Sequence, residues 1–386
     1  MNIGFYHEAA GTRHAGGIAV YTQRMAAELS KRNDVTLYTR SGDLSPVLAE
    51  SDVTVVETPS FADHPSRLLD PLNPLGAQNR EKFLMTLWAV RNDVIEHIND
   101  SLDVLCTYQF LDDLLLSNLV DVPTVYTFHR ATDASPGAWL RDRFSQTDLL
   151  VANSDDTARQ VSAAFDYDID DVVYPGVDFA QFRPGVEPAF ESDGPAILFV
   201  GRLVDSKGID ELLEAVAALE GRQEIHFVGR GDRERIQRRA ARLGIDGAVV
   251  CHGEIPHPDL PSYYAAADVF CLPSHTESFG LANVEAMACE VPVVTTDLEG
   301  IKTYLANGEN GLLVQVGDPR DLADKLGMLL DAPALRSRLG EQARADVREF
   351  AWETQAKRLE RVCRDGLESV DEIDRPSAVP ASADTV

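Results

Sequence analysis

An α/β chain built from two open parallel sheets is what this sequence predicts, and three observations lead there. Short apolar runs rich in strand formers alternate with helical stretches through most of the chain, and strand-helix-strand alternation makes parallel sheets. The alternation is interrupted at 61–78, an irregular surface stretch with three prolines of the kind that often carries binding function, and at 182–195, where prolines and acidic residues read as a linker. The length of 386 residues suits two domains better than one. The predicted division is 1–181 for a first domain, 182–350 for a second, 351–370 for a last helix and 371–386 for a polar, proline-containing tail that reads as disordered.

In the first half, Ile3-Gly4-Phe5-Tyr6 reads as a strand, 18–31 as an amphipathic helix and Val35-Thr36-Leu37-Tyr38 as the next strand. Gly16-Gly17 stands at the start of that helix, where free N–H groups favour a phosphate or a sugar; a plain turn is the commoner explanation of a glycine pair. Strands follow at 53–56, 104–107, 124–127 and 149–152, with one long helix predicted over 82–98. His129 comes directly after the strand at 124–127. The carboxyl end of a parallel strand is the ligand-binding edge of an open sheet, although a lone histidine is more often structural. Val172 to Asp178 closes the domain.

In the second half, Ala196-Ile197-Leu198-Phe199-Val200 opens another sheet and Gly201 to Gly208 forms the loop before a helix predicted at 210–219. Arg202 and Lys207 flank that loop and could grip a diphosphate through charge-assisted hydrogen bonds; two solvated basic residues are the bland alternative. Further strands read at 225–228, 248–251, 269–272, 291–295 and 312–314, and helices at 260–267, 318–330, 334–350 and 352–367. The Gly229-Arg230-Gly231 turn lacks a third glycine and is weak evidence for a dinucleotide site. Between the strand at 269–272 and its following helix, Ser278 reads as the N-cap, with Leu281, Val284 and Ala288 on one helical face. Gly280 sits where the backbone must let something approach, and a helix start binds phosphate.

Composition narrows the function. Sixty-three acidic against 35 basic residues, a formal charge of −28, argue against a nucleic-acid binder, which needs a basic footprint. They equally leave at most a peripheral contact with a membrane. The acidic excess is spread along the chain and reads as solubilising charge suited to high internal salt. No apolar run approaches a membrane span, and the first residues lack a basic leader, so a cytoplasmic protein is expected. Five scattered cysteines include no Cys-x-x-Cys; Cys251, Cys271 and Cys289 lie among apolar residues and read as buried thiols.

Glu277 and Glu285, with seven residues between them and Phe279-Gly280-Leu281 soon after the first, resemble the Glu-x7-Glu motif of the retaining glycosyltransferases of family 4, the group 1 glycosyltransferases. Gly201-Arg202-Leu203 with Lys207-Gly208, and Pro175-Gly176-Val177-Asp178 between the domains, match the same family. The resemblance extends to about Leu367 and is tighter in the second half. It implies the GT-B fold, two Rossmann-like parallel-sheet domains facing each other across a cleft, with the last helix crossing back to the first domain.

The same resemblance implies transfer of a hexose from a nucleotide diphosphate sugar to a hydroxyl acceptor, with retention at the anomeric carbon. Uridine, guanosine and adenosine donors stay open, as do a glycan, a lipid-linked sugar or a small molecule as acceptor. Arg202 and Lys207 would hold the diphosphate, and the N–H groups of Phe279, Gly280 and Leu281, entered by Ser278, would receive a phosphate. Glu277 would lie near the sugar hydroxyls and Glu285 would accept from the ribose. Gly16 and Gly17 would border the donor, and His129 would touch the sugar near the reacting carbon. No cofactor or metal is expected; Asp166 and Asp170 precede a strand and read as a solvated acidic turn. Two departures stand out. The family commonly has His-Asp where this chain has His129-Arg130, and it favours glycine shortly before Pro-Val-Val, where this chain has Cys289-Glu290-Val291-Pro292. A nucleotide-sugar epimerase or hydrolase on the same fold, and a non-catalytic sugar-nucleotide binding protein, are the rival readings.

Overall fold

The computed structural model describes residues 1–12, 17–58, 84–85, 87–108, 116, 118–129, 149–165, 169–219, 221 and 223–373. Its strands form two sheets, and every pairing within them is parallel. The first contains β1 (Asn2–Tyr6), β2 (Asp34–Arg40), β3 (Thr54–Thr58), β4 (Val104–Tyr108), β5 (Thr124–Phe128), β6 (Leu149–Ala152) and β7 (Asp171–Val172), in the order β3-β2-β1-β4-β5-β6-β7. The second contains β8 (Ala196–Val200), β9 (Glu224–Val228), β10 (Val249–Gly253), β11 (Val269–Leu272), β12 (Val293–Thr296) and β13 (Leu312–Val314), in the order β10-β9-β8-β11-β12-β13.

The unbroken apolar character of the central strands explains this architecture. All residues of β4, β5, β8 and β11 are buried, as a parallel sheet with both faces covered requires. Phe199, Phe227 and Phe270, all fully buried, anchor the second core; burying each such side chain contributes about 1.5–3 kcal/mol.

The chain divides into two compact units. One holds Met1–Asn153, Thr157–Val173 and Ala356–Val386; the other holds Ser154–Asp156 and Tyr174–Gln355. The last helix, Trp352–Ile373, therefore starts in the second unit and continues in the first. Within the first unit Arg358 donates to Asp171 Oδ1 at 2.6 and 3.0 Å, Arg361 pairs with Asp171 at 3.2 Å, and Arg32 pairs with Glu360 at 3.2 Å. No described helix is long and apolar enough to cross a membrane.

Several sequence expectations need correction. The helix predicted over 82–98 is interrupted: Asp93 has a left-handed φ of 60°, and a separate helix, Val94–Ser101, starts after it. The last helix runs past Leu367 to Ile373, so 371–373 are helical, and 374–386 lie outside the described residues. The helix predicted over 334–350 ends at Asp346 and tightens into a 3₁₀ turn, Val347–Phe350. Cys251 is only half-buried, whereas Cys271 and Cys289 are buried. Glu290 adopts φ 62°. It stands where the sequence lacks the expected glycine, so the turn keeps the glycine's backbone shape with a side chain in its place. Gly340 lies so close that a Cβ there would run into the Glu290 carbonyl.

Candidate functional site

β8 lies beside β11, and from this pair the chain runs outward to β9 and β10 on one side and to β12 and β13 on the other. Strand order reverses here, and open α/β sheets bind ligands beyond the carboxyl ends of strands at such a point. The two loops that leave these ends carry Arg202 and Lys207 after β8, and Ser274 to Gly280 after β11.

The loops are fastened to each other. His275 N donates to Ser206 O at 2.9 Å, and His275 Nε2 meets Glu211 Oε1 at 2.8 Å. Gly208 has φ 66°, and a Cβ on it would run into the Pro273 carbonyl. Held in this register, Lys207 Nζ donates to Glu277 Oε1, which also accepts from Ser274 Oγ at 3.2 Å. Both partners are only about one-sixth exposed, 16% and 15%, so their attraction is screened less than that of a surface pair. Arg202 is exposed and forms no ion pair among the described residues.

The helix after β11 is Leu281–Ala288, and its N-cap is Gly280 at φ 76°. Ser278 was expected in that position; its side chain caps nothing, because the left-handed turn at Gly280 starts the helix two residues later. Glycine is needed there twice over. The backbone is left-handed, and a Cβ would come within 3.0 Å of Tyr304 Oη and 2.9 Å of Asn283 Nδ2. Tyr304 Oη donates to Phe279 O at 2.7 Å and accepts from Asn283 Nδ2 at 3.0 Å, while Thr296 Oγ1 donates to Ser274 O at 2.6 Å. The loop carbonyls are thus tied inward, and the N–H groups of Phe279, Gly280 and Leu281 have no acceptor among the described residues. Phe279 is buried against Tyr174, Tyr304 and Phe350, with ring centroids 5.2–5.7 Å away, and fixes the loop from below.

Glu285, on the same helix, is 4% exposed. His257 Nε2 lies 2.6 Å from its Oε1, and Tyr264 Oη donates to its Oε2 at 2.9 Å.

In the first unit, His129 follows β5 and is buried edge-on against Tyr21 at 4.7 Å, near Tyr108 at 5.5 Å. Tyr21 lies on the helix Gly17–Ser30, one turn after Gly17. Burial and, second, the neighbouring His7 push the His129 imidazole down to about 3. It is neutral at physiological pH and can exchange a hydrogen bond with a ligand without serving as an acid. Its Nε2 is buried with no hydrogen-bond partner among the described residues. A Cβ on Gly17 would meet nothing among the described residues within 4 Å, so their packing does not demand glycine there.

Two family patterns match consecutive stretches of the chain: Glycosyltransferase Family 4 over residues 15–181 and Glycosyl transferases group 1 over residues 186–346. A D-inositol 3-phosphate glycosyltransferase of Thermomonospora curvata is 32% identical across 90% of this chain and 90% of its own. The chain belongs to the group 1, family 4-like glycosyltransferases.

Solved structures agree on the fold of this glycosyltransferase. Sucrose-phosphate synthase from Thermosynechococcus elongatus superposes with a TM-score of 0.78 at 21% identity, covering 95% of this chain and 99% of that one. Anabaena Alr3699/HepE, in complex with UDP and glucose, gives 0.75 at 20% identity over 95% and 100%. The fold is GT-B, with two all-parallel α/β domains.

Of the residues singled out in the sequence, the glycosyltransferase brings Lys207 and Glu277 into contact and sets Leu281 and Glu285 on one short helix. Gly16 lies outside the described residues, as do the stretch 61–78, Arg130 and Asp166. Asp170 accepts from Leu150 N at 2.7 Å and so fastens the edge of β6. Among the described residues no group of three or more His, Cys, Asp or Glu could hold a metal ion. Sequence reasoning missed His257, Tyr264, Tyr304 and the His275–Glu211 pair. None belongs to a local motif; each acts on a residue at least 21 positions away.

Proposed function

We propose that the protein moves a hexose from a nucleotide diphosphate sugar to a hydroxyl acceptor with retention at the anomeric carbon. The observation that carries this reading is the Lys207–Glu277 contact beside three unspent N–H groups at a helix start. A leaving diphosphate needs positive charge and aimed donors as the bond to the sugar breaks. Arg202, Lys207 and the N–H groups of Phe279, Gly280 and Leu281 supply both. Glu277, paired with Lys207, offers acceptor oxygens to sugar hydroxyls, and Glu285 does so to the ribose. Gly17, with open space beside it, and neutral His129 would serve the sugar end of the donor. In the transfer, the anomeric C–O bond breaks with its electron pair kept by the phosphate. The acceptor oxygen then bonds to the same face, and its proton passes to the phosphate oxygen just released.

The supply of cations and helix amides to the diphosphate supports a metal-independent reaction, for which retained turnover after exhaustive chelation is the check. UDP-glucose is the first donor to try, because UDP and glucose occupy the Anabaena neighbour. D-inositol 3-phosphate is the first acceptor, because it names the relatives. Incubation of UDP-, GDP- and ADP-linked hexoses with and without acceptor, followed by NMR of the product, tests the proposal. An epimerised or hydrolysed donor with every acceptor, or a product of inverted configuration, would overturn it.

A further inference from the structure

We propose that His257 and Tyr264 form a positioning pair that sets the selectivity of Glu285 for a ribose over a deoxyribose. This rests on the reading of Glu285 as a ribose contact. The carboxylate is 4% exposed, and a buried carboxylate left without donors is costly. Here each oxygen has one internal donor: Tyr264 Oη gives its proton to Oε2 at 2.9 Å, and His257 Nε2 lies 2.6 Å from Oε1. An ionised carboxylate offers about four lone-pair sites. One donor on each oxygen therefore leaves one site on each, the arrangement needed by two adjacent hydroxyls such as those of a ribose.

The pair is itself held in place. Tyr264 is fully buried, and burial together with the Glu285 charge keeps its phenol well above its ordinary range, so it remains a donor. Its other neighbour, Ala282 O, lies 3.3 Å away, and the charged acceptor takes the stronger bond. Phe182, fully buried, packs on both rings, 5.1 Å from His257 and 5.9 Å from Tyr264. Arg344 anchors the Phe182 carbonyl at 3.2 Å and also donates to Ala288 O, the last residue of the helix that carries Glu285. His257 comes from a 3₁₀ turn after β10, and Tyr264 from the helix Leu260–Ala265. Two separate elements thus converge on one carboxylate.

The test measures affinity for UDP, GDP and ADP, and for the 2′-deoxy form of whichever binds best, in the wild type and in His257→Phe, Tyr264→Phe, His257→Gln and Glu285→Gln. His257→Phe keeps the ring against Phe182 and removes the donor; His257→Gln restores an N–H. The expected result is about a tenfold loss of affinity for the ribonucleotide in His257→Phe and Tyr264→Phe. Affinity for the deoxynucleotide, which keeps only the 3′ hydroxyl, should fall by a smaller factor, so the preference for the ribonucleotide narrows, with partial recovery in His257→Gln. KM for the donor should rise with kcat little changed, because the ribose is bound alike before and during transfer. A wild-type preference for the ribonucleotide retained in both His257→Phe and Tyr264→Phe, but lost in Glu285→Gln, overturns the positioning pair and spares the ribose contact. Preference retained in Glu285→Gln overturns both.

Discussion

Lys207 and Glu277 stand 70 positions apart in the chain, yet the ammonium of one donates to the carboxylate of the other. The contact joins the residue proposed for the diphosphate to the residue proposed for the sugar. Lys207→Ala should weaken nucleoside diphosphate binding by about 1.5–3 kcal/mol, the worth of a hydrogen bond to a charged group. Glu277→Gln frees the ammonium, so diphosphate affinity should hold or tighten while turnover falls sharply, because the sugar loses an acceptor. Calorimetry and turnover on both variants check this; near-normal turnover in Glu277→Gln would falsify the assignment.

Gly300→Ala should damage the site without touching a ligand. A Cβ at Gly300 would run into the Ser278 carbonyl and come within 3.0 Å of the Glu277 carbonyl. Backbone cannot yield as a side chain tip does, so overpacking should cost about 1–3 kcal/mol and displace the loop. A fall in both thermal midpoint and diphosphate affinity is expected. A variant that melts like the wild type and binds equally well would show that the loop tolerates the shift.

The left-handed Glu290 makes a prediction of opposite sign. Relief of a non-glycine φ of 62° is worth about 1–2 kcal/mol, and the freer unfolded chain of a glycine takes back about 0.4–1. Glu290→Gly should then match or exceed the wild type in stability, whereas Glu290→Val, branched at Cβ, should lose about 1–2 kcal/mol. Urea unfolding of the three proteins decides it; equal losses in both variants would mean that the Glu290–Arg344 contact at 3.7 Å outweighs the backbone.

These two turns mark where the sequence was and was not legible. Every central strand could be read because two-sided burial leaves a continuous apolar run, and the parallel order followed from alternation with helices. The helix start after β11 was misplaced because Ser278 has the chemistry of a cap, while the left-handed geometry at Gly280 depends on Tyr304 and Asn283 closing over it. The break at Asp93 was hidden by apolar residues on both sides of it. Arg202, Lys207 and the two glutamates were visible as types and spacings. The partners that hold the second glutamate were not, since His257 and Tyr264 reach Glu285 only through the fold.

Stability should fall on the acid side because of His129. Its folded value is depressed to about 3, against roughly 6.5 for an unfolded histidine. Between those limits the unfolded chain binds a proton that the folded chain refuses, so stability is complete above pH 6.5 and is lost as pH drops toward 3. From pH 7 to 5 this one group should cost about 2 kcal/mol. His129→Asn should show a pH dependence flatter by that amount in chemical denaturation; identical slopes would mean the imidazole is protonated in the folded protein.

Added potassium chloride should raise the thermal midpoint, since a formal charge of −28 repels itself at low ionic strength and salt screens that repulsion. A flat or falling midpoint from low to multimolar salt would remove self-repulsion as a factor in this protein's stability.

The first unit is assembled from both ends of the chain, Met1–Asn153 with Thr157–Val173 and then Ala356–Val386. During synthesis its closing helix emerges only after all of Tyr174–Gln355 has been made, roughly 10–40 s later at about 5–20 residues per second. Through that interval Asp171 lacks Arg358 and Arg361, Arg32 lacks Glu360, and Cys106 lacks the neighbouring Cys363. All of the second unit is thus synthesised before the helix that completes the first, so the domain begun first is the one completed last. A stop codon within the second unit, between Tyr174 and Trp352, would strike the first domain too, though it lies downstream of most of that domain's residues.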